Sequence, residues 1–276
     1  RRAGNAFLAA SLLGALNTAN ASRPLRRTGR LSVLAFAAGW PSSEAPLHAI
    51  GWQALATTAF ARKGALRSAT GLSGLGISLA SWKGLLDIWD QATHAGEVYD
   101  AALDEVLGEE LAAAEAAGVV RETVRLDRRR MASGPVMPWK RRYVRQAPIS
   151  YGSAGRRNTL DVWRRPGLPA DGKAPVLVQV HGGAWVIGNK DQQALPLMAH
   201  LADAGWVCVA INYRLSPRAT WPDHIVDVKR ALAWVKEHIA EFGGDPEYVA
   251  ITGGSAGGHL ASLAALSANA PEIQPG

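Results

Sequence analysis

The chain has a single cysteine in 276 residues, Cys208, so no internal disulfide can form and the redox compartment cannot be read from it. Cys208 lies in the apolar run Trp206-Val207-Cys208-Val209-Ala210-Ile211, where a small buried hydrophobe is expected rather than a reactive thiol. Also missing are zinc-ligand spacings, an aromatic RNA-binding pattern, a helix-turn-helix pattern and internal repeats. No metal, no organic cofactor and no nucleic-acid partner is therefore expected, although the net charge is +7. The Arg pairs and triplets behind that charge are scattered between hydrophobic elements, which suits a solvated surface or contact with anionic lipid.

Charge itself is missing from long stretches of the first 90 residues. None occurs from Ala3 to Ser22, and from Leu31 to Ala61 there is only Glu44. The apolar core Phe7 to Leu16, with Arg1-Arg2 before it and Ala19-Asn20-Ala21 after it, has the layout of a signal peptide with a small-residue cleavage site. The segments Leu31 to Trp40, Pro46 to Phe60 and Gly71 to Trp82 fall short of the roughly 20 residues a spanning helix needs. Two readings stay open for residues 1–120: helices seated at a membrane or cell envelope, or an Ala-rich helical cap on a cytoplasmic protein. Basic flanks at Arg23 to Arg30 and Arg62 to Arg67 tilt the choice toward the membrane. Gly96 to Ala117 alternates apolar and acidic residues at helical spacing and predicts an amphipathic helix that covers something apolar. A basic linker is expected over 121–141.

The pattern changes after residue 141. Arg142 to Tyr151, Thr159 to Arg164, Pro175 to Val180, Trp206 to Tyr213 and Tyr248 to Thr252 read as strands. Gln192 to Ala204, His224 to Phe242 and Gly258 to Leu266 read as helices. This order predicts an α/β domain over 142–276 with a doubly wound, mostly parallel sheet.

Two motifs in this half carry chemistry. Gly253-Gly254-Ser255-Ala256-Gly257-Gly258 follows a predicted strand and opens a predicted helix, the context that forces a nucleophilic serine into a tight turn. Gly253 and Gly257 are expected to be small because a side chain there would collide with nearby backbone. His181-Gly182-Gly183-Ala184-Trp185 leaves an earlier strand. The amides of Gly182 and Gly183 can then join that of Ala256, at a helix N-terminus, as an oxyanion hole around Ser255. His181 is expected to shape the loop. His259 lies a helical turn beyond Ser255 and is expected to point into packing, while His200, His224 and His238 fall on other helices. About twenty residues follow Ser255, with no Asp and no His far enough on to complete a relay. Together with the missing initial Met and the Pro-Gly end, this predicts a fragment.

Together with Tyr213-Arg214-Leu215-Ser216-Pro217 and Phe242-Gly243-Gly244-Asp245-Pro246, these motifs resemble the α/β-hydrolase carboxylesterases of the hormone-sensitive-lipase type over residues 142 to 270. The front half resembles actinobacterial lipase/esterase proteins with an N-terminal extension. The resemblance implies Ser255 as nucleophile, Gly182, Gly183 and Ala256 as oxyanion donors, and an acid and histidine many tens of residues downstream. Ala184 departs from the commoner third glycine. The His-Gly-Gly-x-Trp form, with Trp185, is also similar to feruloyl-esterase-like hydrolases and kynurenine formamidases. Ester hydrolysis of a small-molecule or lipid substrate, arylformamidase- or feruloyl-esterase-like acyl hydrolysis and a non-catalytic binding scaffold are the readings carried forward. Oligomeric state is not encoded.

Overall fold

A computed structural model describes residues 1–24, 29–118 and 142–275. The expected basic linker, 121–141, lies outside them. The chain divides into two compact units, Arg1–Val124 and Arg125–Gly276.

The first unit is helical: α1 (Arg2–Ser22), α2 (Arg30–Glu44), α3 (Pro46–Arg62), one 3₁₀ turn (Ala65–Arg67) and α4 (Ala69–Ala116). Alanine-rich sequence favours helix throughout. Pro46 opens α3 where its missing N–H costs nothing, and the Ser68 hydroxyl caps α4 by accepting the Gly71 N–H at 3.2 Å. The segments Gly71 to Trp82 and Gly96 to Ala117, expected separately, fuse into this one helix because no proline stands between them. A kink at Leu107 (φ −121°, ψ 16°) is its only departure from helical geometry. On the second segment Val98, Tyr99 and Val106 are exposed among the described residues.

Buried positions on α1 (Gly4, Phe7, Ser11, Thr18) and on α4 (Gly71, Gly74, Ser78, Ser81, Leu85) recur at steps of three and four or their sum. They form a seam of mostly small and hydroxyl residues. Ser78 Oγ donates to Ser11 Oγ at 2.9 Å, and the Thr18 and Ser81 hydroxyls lie 2.8 Å apart.

In the second unit, β1 (Val144–Ser150), β2 (Thr159–Arg164), β3 (Ala174–Val180), β4 (Val207–Ile211) and β5 (Gly244–Gly253) form one sheet in the order β1-β2-β4-β3-β5. β3 is parallel to both β4 and β5, whereas β2 runs antiparallel to β1 and β4, so the sheet is mixed. Helices α5 (Leu195–Asp203), α6 (Asp223–His238) and α7 (Ala256–Leu266) complete the layers.

Strand alternation sends Val162, Val178, Val209 and Ile211 to one face, against Ile225 and Val228 of α6 and Leu260 of α7. Trp163, Leu177 and Cys208 point to the opposite face, against Met198 and Ala199 of α5. Helices on both faces make the sheet doubly wound, an α/β fold. Cys208 is buried beside the Met198 carbonyl, and burial pushes its thiol up to about 12.

The segment after β4 is fastened by a buried carboxylate. Asp227 of α6 is fully buried and accepts the Arg214 backbone N–H at 2.9 Å, Nε at 2.8 Å and Nη2 at 2.8 Å, with Arg230 Nη1 at 3.2 Å. Removing the carboxylate leaves Arg214 without its principal partner and its backbone donor unmatched. Asp227→Ala is expected to lower unfolding free energy by about 3–5 kcal/mol, read by urea denaturation. Arg214→Ala is expected to cost at least as much, because it leaves the fully buried Asp227 carboxylate with only the backbone N–H at 214 and Arg230 as the partners named above.

Candidate active site

β5 ends at Gly253 and α7 begins at Ala256, which leaves two residues to reverse the chain. Ser255 takes φ 55° and ψ −122°, a backbone conformation that L-residues rarely adopt and that costs about 1–3 kcal/mol. Its side chain is exposed. The turn closes on itself through Gly257 N–H to the Gly254 carbonyl at 2.9 Å and His259 N–H to the Ser255 carbonyl at 3.0 Å.

The turn is pressed against the end of β3. A Cβ on Gly257 would lie 2.2 Å from the Val180 carbonyl oxygen, and one on Gly253 would lie 2.4 Å from the Gly257 carbonyl carbon. Across the gap, a Cβ on Gly182 would meet the Gly254 oxygen at 2.5 Å and Ser255 Cβ at 3.3 Å. The loop after β3 and the serine turn are therefore in backbone contact. Ala256 stands buried at the first position of α7, where unpaired amides give a helix N-terminus its partial positive charge.

The Gly182 N–H is already engaged: it donates to Gln193 Oε1 at 2.7 Å. Gln193 belongs to no motif, and nothing in the sequence marks it. Gly183, Ala184 and Trp185 all have positive φ (123°, 52° and 60°), and the Gly183 carbonyl accepts from Val186 and Ile187 N–H at 3.0 Å each, so the loop coils tightly after Gly182.

His181 is buried under this loop. Its ring stacks on Tyr213 with centroids 4.4 Å apart, and Nδ1 lies 2.8 Å from the Gly182 carbonyl, which assigns the proton to that nitrogen. Tyr213 Oη donates to the His181 carbonyl at 2.9 Å. Burial holds the imidazole below its ordinary pKa, so it is neutral. Further along, Lys190 Nζ pairs with buried Asp161 Oδ1 at 2.8 Å, and the Lys190 N–H donates to Asn212 Oδ1 at 2.8 Å. These bonds fix the loop to β2 and to the end of β4. Ser216 N–H, donating to the Trp185 carbonyl at 2.8 Å, ties in the Tyr-Arg-Leu-Ser-Pro segment.

The remaining histidines have other partners. His259 meets the edge of Trp185 at 5.4 Å, His224 lies near Ser216 Oγ, and His238 pairs with Glu241. Among the described residues, no histidine or carboxylate hydrogen-bonds the Ser255 hydroxyl. The arrangement presents a serine hydroxyl on a strained turn beside a polar backbone wall, with no proton acceptor bonded to it among the described residues.

Gly257→Val is expected to disrupt the turn and abolish any chemistry at Ser255, whereas Gly254→Ala, which meets nothing within 4 Å, is expected to leave the fold intact. Circular dichroism and a serine-directed fluorophosphonate probe measure the two outcomes. His181 gives a pH signature. Its folded pKa is depressed, so its contribution is fully present above the unfolded value of about 6.5 and is lost as pH falls through the window below it. Urea-unfolding free energy is expected to fall more steeply below about pH 6.5 in the parent protein than in His181→Gln, which does not titrate.

The BD-FAE family matches residues 160–275. The probable carboxylic ester hydrolase LipM of Mycobacterium tuberculosis is 48% identical over 273 residues, 98% of this chain and 62% of its own length. Esterase LipQ of the same organism is 63% identical over 137 residues, 49% of this chain and 32% of its own. A truncated carbohydrate esterase from gut microbiota is 30% identical, covering 45% of this chain and 44% of its own, with a TM-score of 0.41. The chain spans less than two thirds of the length of each of these relatives. Residues 160–275 are thus similar to the BD-FAE family, and the chain is similar to the mycobacterial esterases LipM and LipQ.

Proposed function

We propose that the protein is a serine carboxylic-ester hydrolase with Ser255 as its nucleophile. The observation that carries this reading is the exposed Ser255 on its positive-φ turn, with the backbone of Gly182 packed against it. Ser255 Oγ adds to the acyl carbonyl as its proton passes to a histidine, and the carbonyl electrons move onto oxygen. The amides of Ala256 and Gly183 receive that oxyanion, and Gly182 joins them when Gln193 releases its N–H. Collapse breaks the ester C–O bond, the alcohol leaves with the proton, and water hydrolyses the acyl-serine by the same steps. The histidine and its acidic partner are assigned, on the family resemblance, to sequence downstream of Gly276.

The names of the relatives support an ester as the scissile group. Small-molecule acyl esters and lipid esters both fit the reading. A location at a membrane or the cell envelope belongs to it as well, and the arginines gathered at the helix ends of residues 1–67 support that location.

In the full-length protein, Ser255→Ala is expected to lower p-nitrophenyl ester hydrolysis by at least about 1,000-fold with an unchanged circular dichroism spectrum. Unchanged hydrolysis would overturn the assignment. A folded full-length protein that neither hydrolyses esters nor takes up a fluorophosphonate at Ser255 would favour a binding scaffold instead.

A further inference from the structure

The helical unit is built inside out. Its α1–α4 seam is rich in hydroxyls and glycines, and several polar side chains bond within the bundle: Asn17 donates to Ser42 Oγ at 2.8 Å and Asn20 to the Ala35 carbonyl at 2.6 Å, alongside the Ser11–Ser78 and Thr18–Ser81 pairs. Phe7 and Leu85 are buried in that seam, but many other large apolar side chains face outward. Leu13, Leu16, Leu34, Phe36, Trp52 and Leu55 are each between 62% and 74% exposed. In water such an array loses the hydrophobic term and invites aggregation. In hydrocarbon the same array is favourable, because lipid takes the apolar faces while small residues let helices approach and hydroxyls bond across them.

Charge follows a matching pattern. Within α1, α2 and α3 charged residues occur only at the ends: Arg2, Arg30, Glu44 and Arg62. Residues 1–83 hold ten Lys or Arg against the single acid Glu44. The distal part of α4, residues 86–116, holds nine Asp or Glu and no Lys or Arg. An anionic lipid surface attracts the first set and repels the second, which fixes the end of the unit that enters. Among the described residues, no helix is long and apolar enough to cross a membrane.

We infer that residues 1–85 form a monotopic anchor that sits in one leaflet of an anionic bilayer. The outer faces of α1, α2 and α3 lie in hydrocarbon, the terminal arginines meet lipid phosphates, and the acidic end of α4 stands in water. This rests on the membrane location proposed above and not on the chemistry at Ser255.

The test uses the full-length protein carrying one added cysteine, Leu13→Cys, Leu34→Cys or Val106→Cys, labelled with an environment-sensitive fluorophore. Cys208 is buried with its thiol pushed up to about 12 and does not compete for the label, and the parent protein carried through the same labelling supplies the background to subtract. On phosphatidylglycerol-containing vesicles, labels at 13 and 34 are expected to shift to the blue and become shielded from an aqueous quencher, while the label at 106 stays wet. Flotation with the vesicles is expected to survive molar salt. Flotation reversed by salt with all labels wet would keep the membrane location and overturn insertion. No flotation at all would overturn both. Shielding of the labels at 13 and 34 in the absence of vesicles, with an oligomer by light scattering, would assign these faces to a second copy and overturn the anchor. Ester hydrolysis measured on the same samples reports separately on Ser255.

Discussion

Everything at the candidate site depends on how closely two stretches of backbone approach. The serine turn touches the end of β3 through Gly257 and the loop beyond it through Gly182, with no room for a methyl group at either place. Such contacts exchange side-chain bulk for geometry. They place a strained residue against a wall of amides without any interaction from the serine side chain itself. The parallel pairing of β3 with β5 sets this distance, since Val180 pairs with Gly253 and both strands end at the same level. The sheet therefore delivers Ser255 and its neighbouring loop to one edge, where ligands bind in open α/β folds.

A second layer of restraint keeps the loop in place. His181, stacked on Tyr213, and Lys190, paired with Asp161, are buried polar groups whose partners sit on or beside neighbouring strands. Each costs desolvation and yields little net stability. Their return is positional, because a loop with three successive positive-φ residues has no regular hydrogen-bond pattern of its own to hold it.

Much of this was legible in the sequence. Alternating valines at 176, 178 and 180 announce a strand, and a glycine-flanked serine between an apolar run and a helix announces the turn. What escaped has physical causes. The antiparallel pairing of β2 with β4 joins segments more than forty residues apart and leaves no local trace. β5 starts at Gly244, four residues earlier than its apolar run, because backbone pairing with Ala174 extends it through Asp245 and Pro246, which carry no strand signal. Gln193 reaches Gly182 across a loop, a contact no spacing rule encodes. In the helical unit the sequence showed where apolar residues lie but not which way they face. Only the structure reveals that serines, threonines and glycines took much of the interior beside Phe7 and Leu85.

The backbone of Ser255 has a further implication for how this position can change over time. At φ 55° and ψ −122° the residue without a side chain is the most comfortable occupant, and a β-branched one is the least. Threonine is thus barred as a substitute hydroxyl at this position by conformation alone. Glycine, by contrast, would relax the turn and raise stability while erasing the hydroxyl. A glycine at this one position would therefore keep the scaffold and ease the turn, so the persistence of a serine there reads as a cost carried in the backbone.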